Sequence, residues 1–541
     1  MADERSGTPE QDGTGEAGRA AGPGPQGGGG ADRPAGSYPA GSYPAGSDDE
    51  FDVVVLGAGA VGENVADRAS RTGLRVAVVE PALVGGECSY WACMPSKALL
   101  RPGDALAAAR AVPGADTAVS GVLDVAAVLA RRDEVAAHWD DAGQVAWVEG
   151  AGLTLVRGHA RFTGPRTLTV ERADGTTRPL RARHAAVVAT GSTAVVPDVF
   201  AGVRAWTSRE ATSAHRVPPR LAVVGGGVVA TEMATAFADL GSEVTVLVRG
   251  RRLLPAAEPF AGAAVARSLQ DRGVRVAFGA SVTAASRDEE GVHLTVDGSA
   301  DGAAGATDVL TVDEVLVATG RRPATDDLGL EVLGLRPGDP LAVDDRLQVT
   351  AVEGGWLFAA GDVTGRTATT HQGKYDARVV GDVVAARFDP RGADEVAGDP
   401  AGLSRAAEAA AVPWSRYRAT ADVAAVPQVV FTRPQVAWVG RTEARAREDG
   451  LDVEVLSYEL GDLAGATVTA ADYAGRAQLV VDRAHDVVVG ATFVGPDVAD
   501  MLHAATVAVV GEVPLARLWH AVPSYPTLSE VWLRLLEAAG R

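Results

Sequence analysis

The chain contains the same local pattern twice: an apolar strand, a glycine-rich turn, an amphipathic helix and a second strand. In the first copy, FDVVVLGAGAVGENVADRASRTGLRVAVVE, the turn holds Gly57, Gly59 and Gly62. Such glycines permit a tight bend, close approach of the backbone to a pyrophosphate and close packing of the helix on the strand. Glu80 ends the second strand, where a carboxylate accepts hydrogen bonds from a ribose diol. The pattern predicts a dinucleotide-binding unit.

The second copy, LAVVGGGVVATEMATAFADLGSEVTVLVRGRR, has a valine where the first copy has its carboxylate. Its three turn positions are Gly225, Gly227 and Ala230. Val248 takes the place of the acid, and it is followed by Arg249, Arg251 and Arg252. Because guanidinium groups bind phosphate bidentately, this loop favours NADPH over NADH. The alternative is that the arginines only solvate the loop.

Each copy is closed by a further apolar strand that ends in Ala-Thr-Gly. These strands are HAAVVATGS, which ends near Thr190 and Gly191, and DEVLVATGR, which ends near Gly320. Two dinucleotide units in one chain indicate two cofactors that are used together. Electron transfer from one to the other is the natural reason for such an arrangement.

The only two cysteines, Cys88 and Cys93, stand five residues apart in GGECSYWACMPSKALL, directly after Gly86 and Glu87. A thiol pair beside a nucleotide-binding unit predicts dithiol and disulfide chemistry. Structural zinc needs about four ligands, and the sequence supplies no others nearby, so no metal site is predicted. Two inert thiols would leave the PSK segment unexplained, and a static disulfide is more typical of a secreted chain.

Composition narrows the class of protein. The chain has 541 residues, 47% of them hydrophobic, and a net charge of −20. Its length requires more than one core, its acidity argues against a nucleic-acid partner, and no apolar run reaches the ~20 residues of a membrane helix. With no signal-peptide pattern at the N-terminus, we expect a soluble, cytoplasmic protein without a membrane partner.

Residues 1–49 differ from the rest of the chain. They are rich in Gly, Pro, Ala and Ser and include the repeat AGSYPAGSYPAGS. With almost no aliphatic side chains to bury, they predict a disordered tail. A partner-binding role for Tyr38 and Tyr43 is the open alternative.

Eight motifs in a fixed order resemble the FAD-dependent pyridine nucleotide-disulfide oxidoreductases, the family of dihydrolipoyl dehydrogenase, glutathione reductase and mercuric reductase. The motifs, between Phe51 and Glu537, are GAGAVG, GGECSYWACMPSK, ATG, GGGVVATE, ATG, FAAGD, VPQVVFTRPQVAWVGRTEA and YPTLSE. The resemblance implies an α/β fold with two Rossmann-like dinucleotide-binding domains, as in glutathione reductase, and a C-terminal α+β dimerisation domain. It therefore implies a homodimer.

The resemblance also implies domain boundaries. A tail at 1–49 precedes the first part of the FAD-binding domain at 50–215, the NAD(P)-binding domain at 216–337, the second, central part of the FAD-binding domain at 338–423 and the interface domain at 424–541. The first fingerprint, with Glu80, then holds FAD, and the second binds the nicotinamide cofactor. Asp362, next to Gly361 in LFAAGDVTG, matches the aspartate that binds the flavin's ribityl chain.

The same resemblance assigns the redox residues. Cys93 looks like the thiolate that contacts the flavin, and Cys88 looks like the interchange thiol that faces the substrate. Lys97 matches the lysine near the reactive flavin nitrogen, and Glu232 matches its ion-pair partner. The bulky residues between the cysteines, which include Trp91, either offer an aromatic edge to the substrate or pack against the flavin.

The chain departs from the family at its C-terminal motif. Most relatives have a histidine, backed by a glutamate five residues on, where this chain has Tyr525 and Glu530. Tyrosine, with an ordinary pKa near 10, is a poorer base at neutral pH than histidine, so efficient turnover of lipoamide or glutathione is not expected. His520 is an alternative acid or base, and a structural histidine is its other interpretation.

We therefore expect electrons to pass from NADPH through FAD and the cysteine pair to a disulfide or thiol-bound acceptor that the sequence does not identify. A mercuric reductase-like enzyme is one alternative. A diaphorase or quinone reductase, in which the flavin reduces the acceptor directly, is another. A redox-sensing binding protein is the non-enzymatic possibility. The segment around Asp389 to Val412 is predicted to form a surface excursion.

Overall fold

The computed structural model describes residues 49–298, 307–389, 412 and 414–540. The predicted tail, with Tyr38 and Tyr43, lies outside the described residues except for Asp49. The predicted surface excursion also lies outside them except for its two ends.

The secondary structure alternates strands and helices through most of the chain and ends in a strand-rich region. The strands are β1 (Glu50–Leu56), β2 (Val76–Glu80), β3 (Thr154–Arg157), β4 (His159–Gly164), β5 (Thr167–Glu171), β6 (Thr177–Val188), β7 (Ser192–Ala194), β8 (Arg220–Val224), β9 (Glu243–Val248), β10 (Arg275–Phe278), β11 (Ser281–Arg287), β12 (Val292–Asp297), β13 (Thr307–Val312), β14 (Glu314–Val317), β15 (Arg321–Pro323), β16 (Leu357–Ala359), β17 (Gln428–Val430), β18 (Gln435–Gly440), β19 (Val453–Glu459), β20 (Arg476–Asp482) and β21 (Val487–Gly495).

The α-helices, numbered in the same way, follow. They are α1 (Ala60–Ser70), α2 (Gly86–Tyr90), α3 (Cys93–Arg110), α4 (Val125–Val135), α5 (Ala142–Gly150), α6 (Ser208–Thr212), α7 (Val228–Asp239), α8 (Pro259–Asp271), α9 (Thr370–Arg387), α10 (Ala421–Ala424), α11 (Glu443–Glu448), α12 (Ala464–Thr469), α13 (Leu502–Val510), α14 (Leu515–Leu518) and α15 (Val531–Ala538).

The first nucleotide unit is built on one sheet with the strand order β3-β2-β1-β6-β5-β4, to which β16 adds beside β6. Strands β3, β2, β1, β6 and β16 run parallel, and β1 and β2 are buried almost throughout. A parallel strand covered on both faces reads as a continuous apolar run. Helices α1 and α9 pack on each other so closely that a Cβ at Gly381 would lie 2.5 Å from Arg68 Cβ.

The second nucleotide unit has a parallel sheet of order β10-β9-β8-β14 and an antiparallel sheet of order β11-β12-β13. A two-stranded ribbon, β7 with β15, joins it to the first unit. In this ribbon Ser192 pairs with Pro323 and Ala194 pairs with Arg321. The ribbon thus connects the chain segments that follow the two Ala-Thr-Gly motifs.

The C-terminal region is an antiparallel sheet of order β17-β18-β21-β20-β19 with helices packed against it. The predicted fold class, two Rossmann-like units and a C-terminal α+β region, is confirmed. The domain boundaries stay predictions. Within the described part of the chain, no helix is both long and apolar enough to cross a bilayer.

Candidate redox and nucleotide site

The first glycine turn lies between β1 and α1 and leaves no room for side chains at its first and third glycines. Gly57 has φ +99°, and a Cβ there would lie 2.5 Å from the carbonyl oxygen of Ala189. A Cβ on Gly62 would lie 1.8 Å from the oxygen of Gly57. A Cβ on Gly59 would make an ordinary contact, at 3.8 Å from Gly86 Cα, but a Cβ on the facing Gly86 would lie 2.8 Å from Gly59 Cα. The result is a cradle of bare backbone at a helix N-terminus, which suits a pyrophosphate.

Glu80 ends β2 beside this cradle, where its carboxylate is buried. It accepts hydrogen bonds from the backbone nitrogens of Ala58 at 2.8 Å and Ala82 at 2.9 Å. Burial raises the pKa of Glu80, and the two amide hydrogen bonds oppose that rise. The carboxylate is thus fixed against the turn at the position that a ribose diol requires, so the residues present fit FAD.

The second turn, between β8 and α7, has the same arrangement of strand, turn and helix, but its middle glycine has more free space around it. A Cβ on Gly225 would lie 2.3 Å from the carbonyl oxygen of Ala318, whereas Gly227 has no such neighbour within 4 Å. Ala230 is fully buried in the third position. The three predicted arginines follow β9, and all are exposed. They are Arg249, Arg251 and Arg252, and only the last has a recorded hydrogen bond among the described residues, to the oxygen of Pro255 at 2.6 Å.

The two Ala-Thr-Gly segments meet near the ribbon. The Thr190 hydroxyl donates to the oxygen of Ala324 at 2.8 Å, and the Thr319 hydroxyl donates to the oxygen of Val195 at 2.8 Å. The glycines that follow the two threonines, Gly191 and Gly320, both have positive φ, at +73° and +142°. The hydrogen bonds tie each closing strand to the other unit.

Asp362 follows β16 at the end of the first sheet. Its Oδ2 accepts a hydrogen bond from Ser192 Oγ at 2.6 Å, and Ser192 Oγ in turn accepts one from Arg321 Nε at 2.8 Å. The neighbouring Gly361 donates its N–H to Asp376 Oδ2 at 3.2 Å. Burial, together with the nearby charge of a second carboxylate, raises the pKa of Asp376 to about 8. Asp362 therefore sits in a dense hydrogen-bonded region beside the first cradle.

The two cysteines are free thiols in contact with each other. Cys88 lies in α2 and Cys93 is the first residue of α3. Cys93 Sγ is 3.3 Å from Thr370 Oγ1, at the start of α9. The hydrogen bond from the Cys88 thiol lowers the pKa of Cys93, with help from Thr370 and the charge of Lys97. The pKa of Cys88 is raised, because it holds the shared proton and is buried. Cys93 is therefore the better thiolate.

Lys97 lies one turn after Cys93 and is held from two sides. Its Nζ is 2.8 Å from Glu232 Oε2 on α7 and 4.9 Å from the centre of the Phe431 ring. The second oxygen of Glu232 accepts a hydrogen bond from the backbone nitrogen of Phe431 at 2.9 Å. One ion pair thus joins the first unit, the second unit and the start of the C-terminal region. The predicted pairing of Lys97 and Glu232 is present.

Tyr525 and Glu530 lie apart from this cluster within one chain. The Tyr525 side chain is 75% exposed. Glu530 is buried, and it pairs at 2.6 Å with Arg534 of the helix that follows it, α15. His520 is exposed. Among the described residues, no recorded hydrogen bond or ion pair joins any of these three predicted residues to either cysteine.

The two aromatic residues between the cysteines, Tyr90 and Trp91, both pack against other parts of the protein. Tyr90 is 2% exposed. The guanidinium carbon of Arg209 lies 4.1 Å from the centre of the Trp91 ring, and Arg209 Nε is 2.5 Å from Glu87 Oε1. Arg209 thus covers one face of Trp91, so that face is not free for a substrate.

Three residues of the site were not predicted from the sequence: Thr370 and Lys374, which act on the cysteines, and Glu63, which interacts with Lys374. Nothing in the local sequence marks Thr370, because its contact depends on how α9 packs. Lys374 did carry a signal, because the chain has only two lysines and Lys97 is the other. In the described part of the chain, no group of three or more His, Cys, Asp or Glu side chains is placed to hold a metal ion.

Comparison with known proteins agrees with this geometry. The sequence profile of the family described as "Pyridine nucleotide-disulphide oxidoreductase" matches residues 51–377, and that of its dimerisation domain matches residues 426–536. The dihydrolipoyl dehydrogenase of Thermus scotoductus is 31% identical over 495 residues, which cover 90% of this chain and 97% of that protein. The mercuric reductase of Staphylococcus aureus is 29% identical over 489 residues, which cover 89% of this chain and 81% of that protein.

A solved structure extends the comparison to three dimensions. The Cu(II) complex of the HOCl-induced flavoprotein disulfide reductase RclA from Escherichia coli matches with a TM-score of 0.73 and 25% sequence identity. The match covers 90% of this chain and 99% of that one.

Proposed function

Since the chain belongs to the pyridine nucleotide-disulfide oxidoreductase family, we propose that it carries electrons from NADPH through FAD and the Cys88/Cys93 pair to a disulfide or thiol-bound acceptor. Family membership makes the protein an FAD-dependent oxidoreductase that uses a pyridine nucleotide. The matched dimerisation domain supports a homodimer. A cytoplasmic location is part of the proposal.

The observation that carries the proposal is the division of charge between the two thiols. Cys93 faces Thr370 and the charge of Lys97, and its pKa is lowered. Cys88 keeps the proton. A redox pair that must hold a thiolate on one side and exchange with a substrate on the other needs this asymmetry.

Each residue around the pair then has a task. Bound FAD would supply the two-electron transfer chemistry between the pyridine nucleotide and the disulfide. Glu80 and the glycine cradle bind the cofactor, and Asp362 orients it. Glu232 holds Lys97 so that its positive charge stays beside Cys93. Once reduced, Cys88 attacks the acceptor.

Tyr525 is the proposed substitute for the usual histidine on the substrate side. Its exposure leaves the hydroxyl available to the active site of a partner protomer. A tyrosine donates a hydrogen bond well but is a weak base at neutral pH. We therefore expect low rates with lipoamide and glutathione.

The preference for NADPH rests on the loop after β9. Val248 offers no carboxylate to a ribose diol, and the exposed Arg249 and Arg251 are available to a 2′-phosphate. The expected signature is a lower KM for NADPH than for NADH.

Anaerobic titration with NADPH tests the proposal. We expect a long-wavelength charge-transfer band between the Cys93 thiolate and the flavin. The band should be lost in Cys93→Ser, while Cys88→Ser should retain a thiolate next to the flavin. A wild-type protein with intact flavin and no such band would contradict the disulfide step.

A metal-ion acceptor is the second candidate, and two observations favour it. The mercuric reductase of Staphylococcus aureus is among the relatives, and Tyr525 replaces the histidine that disulfide exchange normally uses. Mercury-dependent NADPH oxidation that survives Tyr525→His and is lost in Cys93→Ser would support this candidate. No mercury-dependent oxidation would remove it.

A further inference from the structure

Lysine is almost absent from this chain, and both lysines stand at the cysteine pair. Of the 50 lysine and arginine residues, two are lysines, Lys97 and Lys374. Lys97 pairs with Glu232, and its charge acts on Cys93. Lys374 lies on α9, four residues after Thr370, whose hydroxyl is 3.3 Å from Cys93 Sγ. Residues four apart share one face of a helix, so Lys374 follows Thr370 along the face that meets the cysteines.

Contacts at the start of α9 fix the position of this face. A Cβ on Gly373 would lie 2.7 Å from Val61 Cγ2 and 3.3 Å from Gly361 Cα, so α9 touches the first turn of α1 here. Glu63 belongs to that same turn. Its Oε1 is buried and has no hydrogen-bond partner among the described residues.

Electrostatics connect Glu63, Lys374 and Cys88. Burial raises the pKa of Glu63 to about 8, while the charge of Lys374 lowers it and the carboxylate of Glu80 raises it further. The charge of Lys374 also lowers the pKa of Cys88, against the larger effects of Cys93 and burial. No recorded ion pair joins Lys374 to another described residue, and Glu63 is the carboxyl group that interacts with its charge.

We propose that Lys374, with Glu63 beside it, is the charged group that stabilises the Cys88 thiolate during exchange with the substrate. This assignment rests on the proposed function, because it gives the interchange thiol a positive charge from its own chain where Tyr525 offers no base. It also gives the second of only two lysines a task that depends on its charge.

Exchange with a disulfide acceptor proceeds through a mixed disulfide at Cys88. The Cys88 thiol releases its proton to solvent, and the thiolate, stabilised by Lys374, attacks one sulfur of the acceptor. A mixed disulfide forms, the acceptor's S–S bond breaks, and the leaving thiolate takes up a proton. The Cys93 thiolate then attacks the Cys88 sulfur, which restores the Cys88–Cys93 disulfide and releases the second thiolate, also protonated by solvent. Two electrons pass from the dithiol to the acceptor.

Alkylation of Cys88 tests the proposal directly. In the Cys93→Ser background Cys88 is the only thiol in the chain, so the rate of reaction with iodoacetamide reports its thiolate alone. The groups that act on it in that variant are the hydroxyl introduced at position 93, Thr370 and Lys374, and Glu63 in turn interacts with Lys374.

We expect the midpoint of the alkylation rate against pH to rise by about one unit in Lys374→Met, which corresponds to about tenfold slower alkylation at neutral pH. Lys374→Arg should keep the midpoint within a few tenths of a unit, because the charge is retained. Arg378→Met is the matched control, because it removes a positive charge from the same helix one turn farther on, at an exposed position. An equal shift in Arg378→Met, or no shift in Lys374→Met, would overturn the proposal.

Chemical modification provides a test that does not depend on folding of a variant at position 374. In the double variant Cys93→Ser/Lys97→Arg, Lys374 is the only lysine side chain and Cys88 the only thiol. Acetylation of the folded protein removes its charge, whereas reductive methylation keeps it. We expect acetylation to slow iodoacetamide alkylation of Cys88 and methylation to leave it unchanged. Equal effects of the two reagents would contradict a role for the charge.

The result is separable from the test of the proposed function. If wild-type protein with intact flavin shows no charge-transfer band on NADPH titration, the proposed disulfide step fails. If the band is present in both wild type and Lys374→Met but the alkylation midpoint does not move, only the role of Lys374 fails.

Discussion

The two nucleotide units have the same strand, turn and helix arrangement, but they differ in how closely the helix packs against the glycine turn. In both units the first glycine lies against a backbone carbonyl. A Cβ on Gly57 would lie 2.5 Å from the carbonyl oxygen of Ala189, and a Cβ on Gly225 would lie 2.3 Å from that of Ala318. The third position separates them. A Cβ on Gly62 would lie 1.8 Å from a backbone oxygen, whereas Ala230 has its methyl group and is fully buried. Helix α1 thus lies closer to its turn than α7 does.

The ends of β2 and β9 also differ, because the first unit is again the more tightly packed of the two. Glu80 is buried and held by two backbone amides, whereas Arg249 and Arg251 are exposed after β9. A fixed, buried acceptor suits a cofactor that stays bound through many turnovers. Exposed arginines suit a ligand that enters and leaves, because ordering them costs entropy that weakens binding.

The largest expected effect comes from the third turn position. Gly62→Ala should lower the free energy of unfolding by about 3 kcal/mol or more, because its methyl group would overlap a backbone carbonyl. Ala230→Gly, at the equivalent site, should cost only about 1 kcal/mol. Thermal unfolding at equal protein and FAD concentrations measures both. Equal destabilisation by the two changes would show that the two helices are equally close to their turns.

The next effect concerns retention of FAD. Glu80→Ala should weaken FAD binding about 100-fold, because it removes a charged acceptor from the cradle and leaves two amides without a partner. The quenching of flavin fluorescence by apoprotein measures the Kd. Glu80→Gln keeps one acceptor oxygen and should lose less, and NADPH affinity should not change in either variant. Unchanged FAD affinity in Glu80→Ala would contradict the view that the buried carboxylate retains the cofactor in the first unit.

A smaller effect is expected at the exposed arginines. Replacing Arg249 and Arg251 together by alanine should raise the KM for NADPH about tenfold and leave that for NADH within about twofold, since only NADPH carries the 2′-phosphate. Arg252→Ala is the control, because that side chain already donates to Pro255. An equal rise in KM for NADPH and NADH would mean that the loop does not recognise the 2′-phosphate.

The smallest effect is a change with pH. Glu63 occupies the helix position that Thr231 occupies in the second unit, where the Thr231 hydroxyl donates to the oxygen of Gly227 at 3.0 Å. Burial raises the pKa of Glu63 to about 8, so the folded protein binds this proton more tightly than the unfolded chain does. Stability should therefore fall as pH rises from about 4.5 to 8.

Glu63→Thr should reduce that decline. The difference in thermal midpoint between the variant and wild type should grow in the variant's favour across this pH range. A constant difference from about pH 5 to about pH 8 would show that Glu63 ionises normally in the folded protein.

The sequence predicted the parts of the site that depend on local order. A strand, turn, helix and strand pattern specifies where each strand ends, so Glu80 was expected beside the first turn and the arginines beside the second. The resemblance to a known family added the pairing of Lys97 with Glu232. Thr370 was not predictable, because its distance from Cys93 depends on how α9 packs against α1 through the bare backbone of Gly373.

The hydrogen-bond partners of the predicted site residues could not be predicted from the sequence either. Nothing in the pattern indicated that Ser192 and Arg321 would form a chain of hydrogen bonds to Asp362. These contacts arise because the ribbon brings together two segments that are 129 residues apart, and such long-range pairing has no local signal.

The ion pair at Lys97 has a consequence for how the enzyme is made. Glu232 follows Lys97 by 135 residues, and Phe431, which fixes Glu232 through its backbone nitrogen, follows Glu232 by 199. A nascent chain on the ribosome therefore exposes both cysteines long before the lysine beside them is held in place. The redox centre is completed only when the C-terminal region has been synthesised, so an incomplete chain lacks the arrangement that directs its electrons.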